Sequence, residues 1–178
     1  SIGNNASITL ISESHSAATV HSSSAAGGLV GGIVSGENII KKSYATGDVQ
    51  GSYSGGLVGV LGSNNKVIAS YSTGGVSGQN SGALIGWIGS NNSIQFSYAA
   101  GASDAPLIGT GSLESNTIEN SYWATDLGYT NSAAVNADTN VIGLTLASLQ
   151  CATSGSELAI TNNCIFDNAN EAVALPAG

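Results

Sequence analysis

Carboxylates are the most numerous reactive side chains in this chain of 178 residues. It has 11 Asp and Glu against three Lys, two His and two Cys. Hydrolysis of a glycoside needs two carboxylates that face each other across a sugar. Asp104 and Asp126 are 22 positions apart, near the shortened last step of the repeat described below, and are the pair we consider plausible for such stacking. The chain has too few basic residues for a lyase, and its many serines lack a nucleophile-elbow motif. We therefore predict that the protein is not an enzyme and has no catalytic residues.

Calcium is the one cofactor that the sequence leaves open. Asp104, Asp126 and Asp138 are candidate ligands, because carboxylate oxygens are what calcium prefers. The chain has no EF-hand loop and no Gly-rich calcium nonapeptide. Aspartates also cap turns, which is the alternative explanation for all three. His15 and His21 have no Cys or acidic cluster at ligand spacing, so we predict solvent-facing turn residues.

The two cysteines, Cys151 and Cys164, lie 13 positions apart. In an exported protein such a pair is expected to form a disulfide. Closing a loop of this size contributes about 3 kcal/mol in the chain-entropy model. A reduced pair is the alternative.

Charge and hydropathy exclude two classes of partner. The formal net charge is −8, whereas a nucleic-acid-binding protein needs a basic footprint. No apolar stretch approaches the length of a membrane span, so we expect no membrane insertion. A sugar or another flat surface would be held by aromatic side chains, for which Trp87 and Tyr53 are the candidates. Packing of Trp87 beneath a loop is the alternative.

The elements that position these residues come from an internal repeat. Gly56-Leu57-Val58-Gly59 is followed by an Asn and then by Ser70-Tyr71, and similar units precede and follow it. The tyrosines recur at steps of 27, 27 and 24 residues. The equivalent positions are Leu29, Leu57, Leu84 and Leu107; Asn38, Asn65, Asn92 and Asn116; and Tyr44, Tyr71, Tyr98 and Tyr122. A unit of this length cannot bury its own apolar face, so its copies must stack.

Short apolar runs between Gly, Ser and Asn predict strands and turns, with no room for a long helix within a repeat. The sequence therefore predicts an all-β fold, a β-solenoid or parallel β-helix. We expect about five coils with three short strands each and a C-terminal capping segment. Stacked strands lie about 4.8 Å apart, so residues one period apart should form ladders: leucines inside, an amide ladder of asparagines at a corner, and a structural tyrosine stack.

Strand alternation predicts which side chains face inward. Leu57, Gly59 and Leu61 lie on one face of the strand, and this face varies little between copies, so it should be buried. Val60 and Trp87 occupy an equivalent position on the opposite, more variable face, which should point outward. Val58 lies on that outer face too. Asparagine also tolerates the left-handed backbone that a sharp corner needs.

Three segments follow from the repeat. Residues 1–26 are degenerate first coils, in which Ile8, Leu10 and Ile11 would extend an inner aliphatic ladder. Residues 27–123 are the repeats, and residues 124–178 are the cap, with a short helix predicted at 144–150. Because the chain starts within the pattern, we expect it to be a piece of a longer exported protein, next to further repeats or domains.

The repeat resembles the GLUG motif over about residues 27–150. The shared pattern is Gly-Leu-Val-Gly, then Asn-x-Ile/Val-x-x-Ser-Tyr-x-Thr-Gly and x-Val-x-Gly, with Tyr122-Trp123 and Gly143-Leu144-Thr145 after the last copy. Ala83 and Pro106 depart from it by replacing the first Gly. The motif occurs in large secreted bacterial adhesins, filamentous-haemagglutinin-like proteins and some surface peptidases. The resemblance implies a secreted or cell-surface location and a stalk or adhesive role, with no catalytic residues to transfer.

Three functional hypotheses remain. The first is a structural or adhesive module that contacts a host or environmental surface. The second is a domain that binds a carbohydrate or ice; Thr46 and Thr73 lie one period apart, but Ala100 interrupts their row. The third is an accessory segment of a polysaccharide-degrading or peptidase protein.

Overall fold

The computed structural model describes residues 8–129, 141–146 and 149. Its strands are β1 (Leu10–Ser12), β2 (His15–Ser16), β3 (Val20–His21), β4 (Ala25–Gly27), β5 (Val30–Ile33), β6 (Ile39–Lys41), β7 (Tyr44–Ala45), β8 (Val49–Gln50), β9 (Tyr53–Gly55), β10 (Val58–Leu61), β11 (Lys66–Ile68), β12 (Tyr71–Ser72), β13 (Val76–Ser77), β14 (Asn80–Gly82), β15 (Ile85–Ile88), β16 (Ser93–Gln95), β17 (Tyr98–Ala99), β18 (Ile108–Gly111), β19 (Thr117–Glu119), β20 (Ser121–Ala124) and β21 (Val141–Leu144). One 3₁₀ turn spans Leu113–Ser115. No helix in the described ranges is long and apolar enough to cross a membrane.

The fold is a β-solenoid of about four turns, as the repeat predicts. Successive strands enter five different sheets in a fixed order, and every strand pair among the described residues is parallel. Sheet 1 is β1-β6-β11-β16-β19, sheet 2 is β2-β7-β12-β17-β20-β21, sheet 3 is β3-β8-β13, sheet 4 is β4-β9-β14 and sheet 5 is β5-β10-β15-β18. The prediction of three strands per coil was wrong, because each of the first three coils has five.

The additional strands come from segments that resemble turns in the sequence. Tyr53–Gly55 is β9 of sheet 4, although Ser and Gly dominate it. In a parallel stack the neighbouring coils supply the hydrogen bonds whatever the side chain, so small residues do not prevent strand formation. The first coil is also more regular than predicted, since it runs from β1 to β5 and includes residues on both sides of the predicted boundary at 26.

Glycines let sheets 4 and 5 pack backbone against backbone. A Cβ added to Gly59 in β10 would lie 2.5 Å from the carbonyl oxygen of Gly31 and 2.6 Å from that of Ala26. Gly86, one coil later, lies against the backbone of Ser54 in the same way. From the second coil onward, the last glycine of the repeated Gly-Leu-Val-Gly position therefore provides the close approach of two sheets.

The core confirms part of the predicted alternation. Leu57 and Leu61 are fully buried, and Val60 is partly exposed, as expected. Val58, however, is buried in the same core cluster as these leucines, so the prediction of an outward side chain was wrong there. The aliphatic ladder does extend into the first coil, where Ile11 pairs in register with Ile40. Ile8 and Leu10 are exposed instead, so the prediction was wrong for these two residues.

Left-handed corners lie beside the asparagine ladder and not within it. The ladder asparagines are not among the residues with positive φ. Positive φ occurs instead at the residues that precede Asn65 and Asn92, namely Asn64 with φ of 62° and Asn91 with φ of 59°. A second left-handed corner follows the strands of sheet 1, at Lys42 with φ of 49° and at its equivalents in other coils. Non-Gly residues in this region cost about 1 kcal/mol each, which the surrounding ladders offset.

The C-terminal part does not begin as the predicted helix. Val141–Leu144 forms β21, which extends sheet 2 beside β20. After it, the amide of Leu149 donates to the carbonyl of Thr145 at 3.0 Å, a single helical hydrogen bond. Tyr129 and Val141 pack against the main core cluster, while Leu144 and Leu146 pack against the tyrosines. The described part of the predicted cap thus covers two surfaces of the solenoid.

Candidate functional site

The ladder asparagines bind one another along the solenoid. The side-chain amide nitrogen of Asn38 donates to Oδ1 of Asn65 at 2.8 Å, and the backbone amide of Asn38 donates to the same oxygen at 3.2 Å. Asn65 and Asn92 donate their backbone amides to the next asparagine at 2.8 Å and 2.7 Å, the last acceptor being Asn116. The first three residues are buried. These amides are used in coil stacking, so they do not project toward a ligand.

A serine ladder runs parallel to the asparagine ladder. The backbone amide of Ser43 donates to Oγ of Ser70 at 3.2 Å, and Ser70 donates in the same way to Ser97 at 3.3 Å. Each hydroxyl donates to the carbonyl two residues earlier, as Ser70 does to Ile68 at 2.9 Å. The Ser-Tyr dipeptide recurs in the sequence, but no serine ladder was predicted from it. The Ser that precedes every repeat tyrosine was the available signal.

The tyrosine rings stack face to face. Tyr44 and Tyr71 have ring centroids 4.8 Å apart, and Tyr71 and Tyr98 have centroids 4.7 Å apart, with planes within 6° of parallel. Tyr122 pairs in register with Tyr98. His15 extends the stack, with its ring 5.1 Å from that of Tyr44. Its side chain is exposed as predicted, but His15 and His21 lie in strands β2 and β3 and not in turns.

Leucines of the C-terminal part cover the tyrosine stack. Tyr71, Tyr98 and Tyr122 are buried in one cluster with Leu149, and Leu127, Leu144 and Leu146 also pack against that cluster. Burial disfavours the phenolate, and it raises the pKa of Tyr71, Tyr98 and Tyr122. The stack is consequently a second core, closed to a ligand over most of its length.

The predicted aromatic ligand residues lie on different sheets. Trp87 is partly exposed in sheet 5, in register with Val60 and Thr110. Tyr53 in sheet 4 is 39% exposed. No ring contact between Trp87 and Tyr53 occurs within the described part of the chain. Both remain accessible to a partner, but as separate side chains.

The candidate aspartates are not brought together. Asp104 accepts a hydrogen bond from the hydroxyl of Ser81 at 2.9 Å, at an extension of sheet 4. Asp126 follows sheet 2 and accepts from the amide of Leu146 at 2.9 Å. The two are not at equivalent positions, so they are not the stacked pair considered for catalysis. Asp138, Cys151 and Cys164 lie outside the described residues, which contain no group of three potential metal ligands.

His21 has a local partner too. Its Nδ1 lies 2.9 Å from Oε1 of Gln50, in register on the next coil. This contact joins two exposed side chains of sheet 3.

No protein-family model, curated protein sequence or solved structure significantly matches this chain.

Proposed function

We propose that this chain is a structural module, a non-catalytic β-solenoid that acts as a stalk or adhesion surface in a secreted or cell-surface bacterial protein. One observation carries the proposal. The polar side chains that recur in every repeat, which would be the natural candidates for chemistry, form the asparagine and serine ladders between coils.

The energetics of the ladders suit a stalk. A satisfied hydrogen bond contributes about 1 kcal/mol, and a buried group that loses its partner costs about 1 to 3 kcal/mol. Because each coil contacts its neighbours through the same bonds, stability is distributed along the axis. A rod built in this way keeps its shape without a ligand, which is what a spacer between two domains requires.

Two measurements test the proposal: one looks for catalytic turnover of polysaccharides and peptides, and the other measures the force needed to unfold the solenoid. The full chain is incubated with a panel of polysaccharides and peptides, and new reducing ends and amines are measured. We expect no turnover; turnover that Asp104→Asn or Asp126→Asn abolishes would overturn the proposal.

The same chain is then stretched by atomic force microscopy. Asn65→Ala should lower the unfolding force, because it removes a ladder side chain. Lys66→Ala, which truncates the exposed side chain of the next residue, should leave the force unchanged.

A second candidate function, binding to a neutral glycan, is favoured by the exposure of Trp87. An aromatic ring on a flat sheet face can stack on a sugar. A glycan array read with the wild type and with Trp87→Ala tests it; identical signals would reject a role for this ring. The ice-binding version lacks such support, because Ala100 is buried and interrupts the row of Thr46 and Thr73.

A further inference from the structure

The first coil of the solenoid has an uncovered edge. Each of the five sheets ends at a strand of this coil, with no strand beyond it among the described residues: β1, β2, β3, β4 and β5. At the opposite end β21 extends sheet 2, and Tyr129 and Val141 pack against the main core cluster. The edge of a sheet is a template for another strand. The uncovered edge of the first coil, which we call the open end, therefore presents five strands for pairing at once.

The main core is incompletely buried at the open end. Three aliphatic side chains of the first coil are partly exposed: Ile11, Val20 and Leu29. Their equivalents one coil later are at most 2% exposed: Ile40, Val49 and Leu57. The difference between the two coils is that the later one has a coil on either side. Another layer of inner side chains would therefore bury the apolar surface that remains at the open end.

The serine ladder leaves an acceptor unused at the open end. In later coils the Oγ of the ladder serine accepts the backbone amide of the serine one coil earlier, as Ser43 does from Ser14 at 3.1 Å and Ser70 does from Ser43 at 3.2 Å. Ser14 is the first serine of the ladder. Its hydroxyl donates to the carbonyl of Ser12 at 2.9 Å, as the other ladder hydroxyls do to theirs. No described amide donates to Oγ of Ser14, so this oxygen is ready for a donor from a preceding coil.

Gly31 leaves a vacant position for the backbone of another coil. A Cβ added to Gly59 would lie 2.5 Å from the carbonyl oxygen of Gly31, and one added to Gly86 would lie 2.6 Å from that of Gly59. At Gly31 the nearest described atom is the carbonyl oxygen of Ala25, in the same coil and 3.8 Å away. Gly31 is also exposed. The first coil thus keeps the glycine that close packing of a preceding coil requires.

The ring stack also continues to the open end. The ring of His15 stacks on that of Tyr44 with planes 10° from parallel, and the side chain of His15 is exposed. No other described ring covers its outer face. An aromatic ring at the tyrosine position of a preceding coil would stack on it.

We propose that the open end is the docking surface for one further coil of this same repeat, carried by the same polypeptide. Only parallel strands continue the existing hydrogen-bond register of all five sheets. A second copy of the chain does not supply such a coil head to tail, because β21 extends sheet 2 at its opposite end and C-terminal leucines cover its tyrosines. A coil on a separate molecule would also lose translational freedom, which a covalent connection avoids.

This inference deepens the proposed stalk role by naming what one end of the solenoid binds, and it rests on that role for the purpose of a longer rod. The contacts that carry it are those of the open end itself.

An extended chain tests the docking. It carries a copy of residues 38–64 directly before Thr9, in place of residues 1–8. Thr9, Asn38 and Asn65 occupy equivalent positions, because the amide of each of the first two donates to Oδ1 of the next asparagine. The join therefore repeats the natural link from one coil to the next. A control chain carries the same added residues in shuffled order.

The melting temperature and the hydrogen exchange of these two chains are compared. A coil that stacks adds an interface between neighbours, so the extended chain should melt at a higher temperature than the shuffled control. The amides of Leu10 and His15 should also exchange more slowly. Their equivalents one coil later, Ile39 and Tyr44, donate to the preceding coil at 2.9 Å and 3.0 Å, and a bond of this kind protects an amide from exchange.

Gly31→Ala decides whether the added coil occupies the predicted position. In the natural chain this variant should not lower the melting temperature by more than about 2 °C. In the extended chain its Cβ would meet the added backbone, and the melting temperature should fall by about 6 to 12 °C, as expected for Gly59→Ala. Gly32→Ala, whose Cβ would lie 4.0 Å from that of Val60, should be mild in both chains. An equally mild Gly31→Ala in both chains, or an extended chain that melts like the shuffled control, would overturn the proposal.

Light scattering of the natural chain tests the other occupant. We expect a monomer; a stable dimer that the extension dissociates would show that a second copy covers the open end, and the proposal would be rejected. Catalytic turnover would overturn the stalk role but would leave the response to Gly31→Ala unchanged, so the two proposals fail separately.

Discussion

Replacement of Gly59 by Ala should strongly destabilise the solenoid. The new Cβ would lie 2.5 Å from the carbonyl oxygen of Gly31 and 2.7 Å from the carbonyl carbon of Ala26. A separation of at least 3.0 Å is needed, so β10 must move away both from β5 of its own sheet and from Ala26 of sheet 4, by up to about 0.5 Å. Both partners are backbone atoms held in hydrogen-bonded sheets and cannot rotate away. We expect a loss near the upper end of overpacking costs, about 3 kcal/mol.

Thermal and urea unfolding, followed by circular dichroism, measure this loss. For a chain of this length, about 3 kcal/mol corresponds to a fall of about 6 to 12 °C in the melting temperature. The urea midpoint should fall with an unchanged slope, because the same surface is exposed on unfolding.

Two neighbouring glycines provide matched controls. Gly31 is the equivalent residue one coil earlier, but its added Cβ would meet only the oxygen of Ala25, at 3.8 Å. Gly32, next to it, would place its Cβ 4.0 Å from the Cβ of Val60. Alanine at either position should be neutral or stabilising by up to about 1 kcal/mol. The reasoning fails if Gly59→Ala is within 0.5 kcal/mol of the wild type, the usual scatter of a surface change, or if Gly31→Ala costs as much.

Three further predictions concern the ladders, the corners and the tyrosine stack. Asn65→Ala should destabilise by about 1 to 3 kcal/mol in urea unfolding, because the buried amide of Asn38 loses its acceptor; a change below 0.5 kcal/mol would show that water replaces the ladder. Lys42→Gly should stabilise by about 1 kcal/mol, since glycine relieves a positive φ, and a lower urea midpoint would contradict this. The raised pKa values of Tyr71 and Tyr98 mean that only the unfolded chain readily ionises above about pH 10. Stability is therefore fully present below that pH and falls as the pH rises further, which urea midpoints at about pH 8 and about pH 11 will measure; Tyr71→Phe should reduce the fall, and a pH-independent midpoint would refute the argument.

The ladders were predictable because they depend on the repeat alone. Tyr44 and Tyr71 are 27 residues apart in the sequence, and one period of a parallel stack places equivalent residues on top of each other. The same reasoning correctly predicted Leu57 inside the core and a partly exposed Trp87. It failed to predict β9, since its residues, Tyr53–Gly55, have the composition of a turn.

The candidate site was less predictable than the fold. Asp104 and Asp126 have nearly the spacing of one period, but Asp104 lies beside an extension of sheet 4 whereas Asp126 directly follows sheet 2, and they bind separate partners.

The sequence by itself determined the period, the ladder residues and the class of fold, because stacking of like on like needs no information beyond the repeat. Tertiary structure decided the rest. Gly31 and Gly59 each end the same Gly-Gly-Leu-Val-Gly stretch, yet only Gly59 has a preceding coil packed against it. The repeat predicts that the tyrosines stack, but not that Leu144, Leu146 and Leu149 cover them. Such burial depends on contacts with segments outside the repeat, and no periodicity can predict where a non-repeating segment will lie.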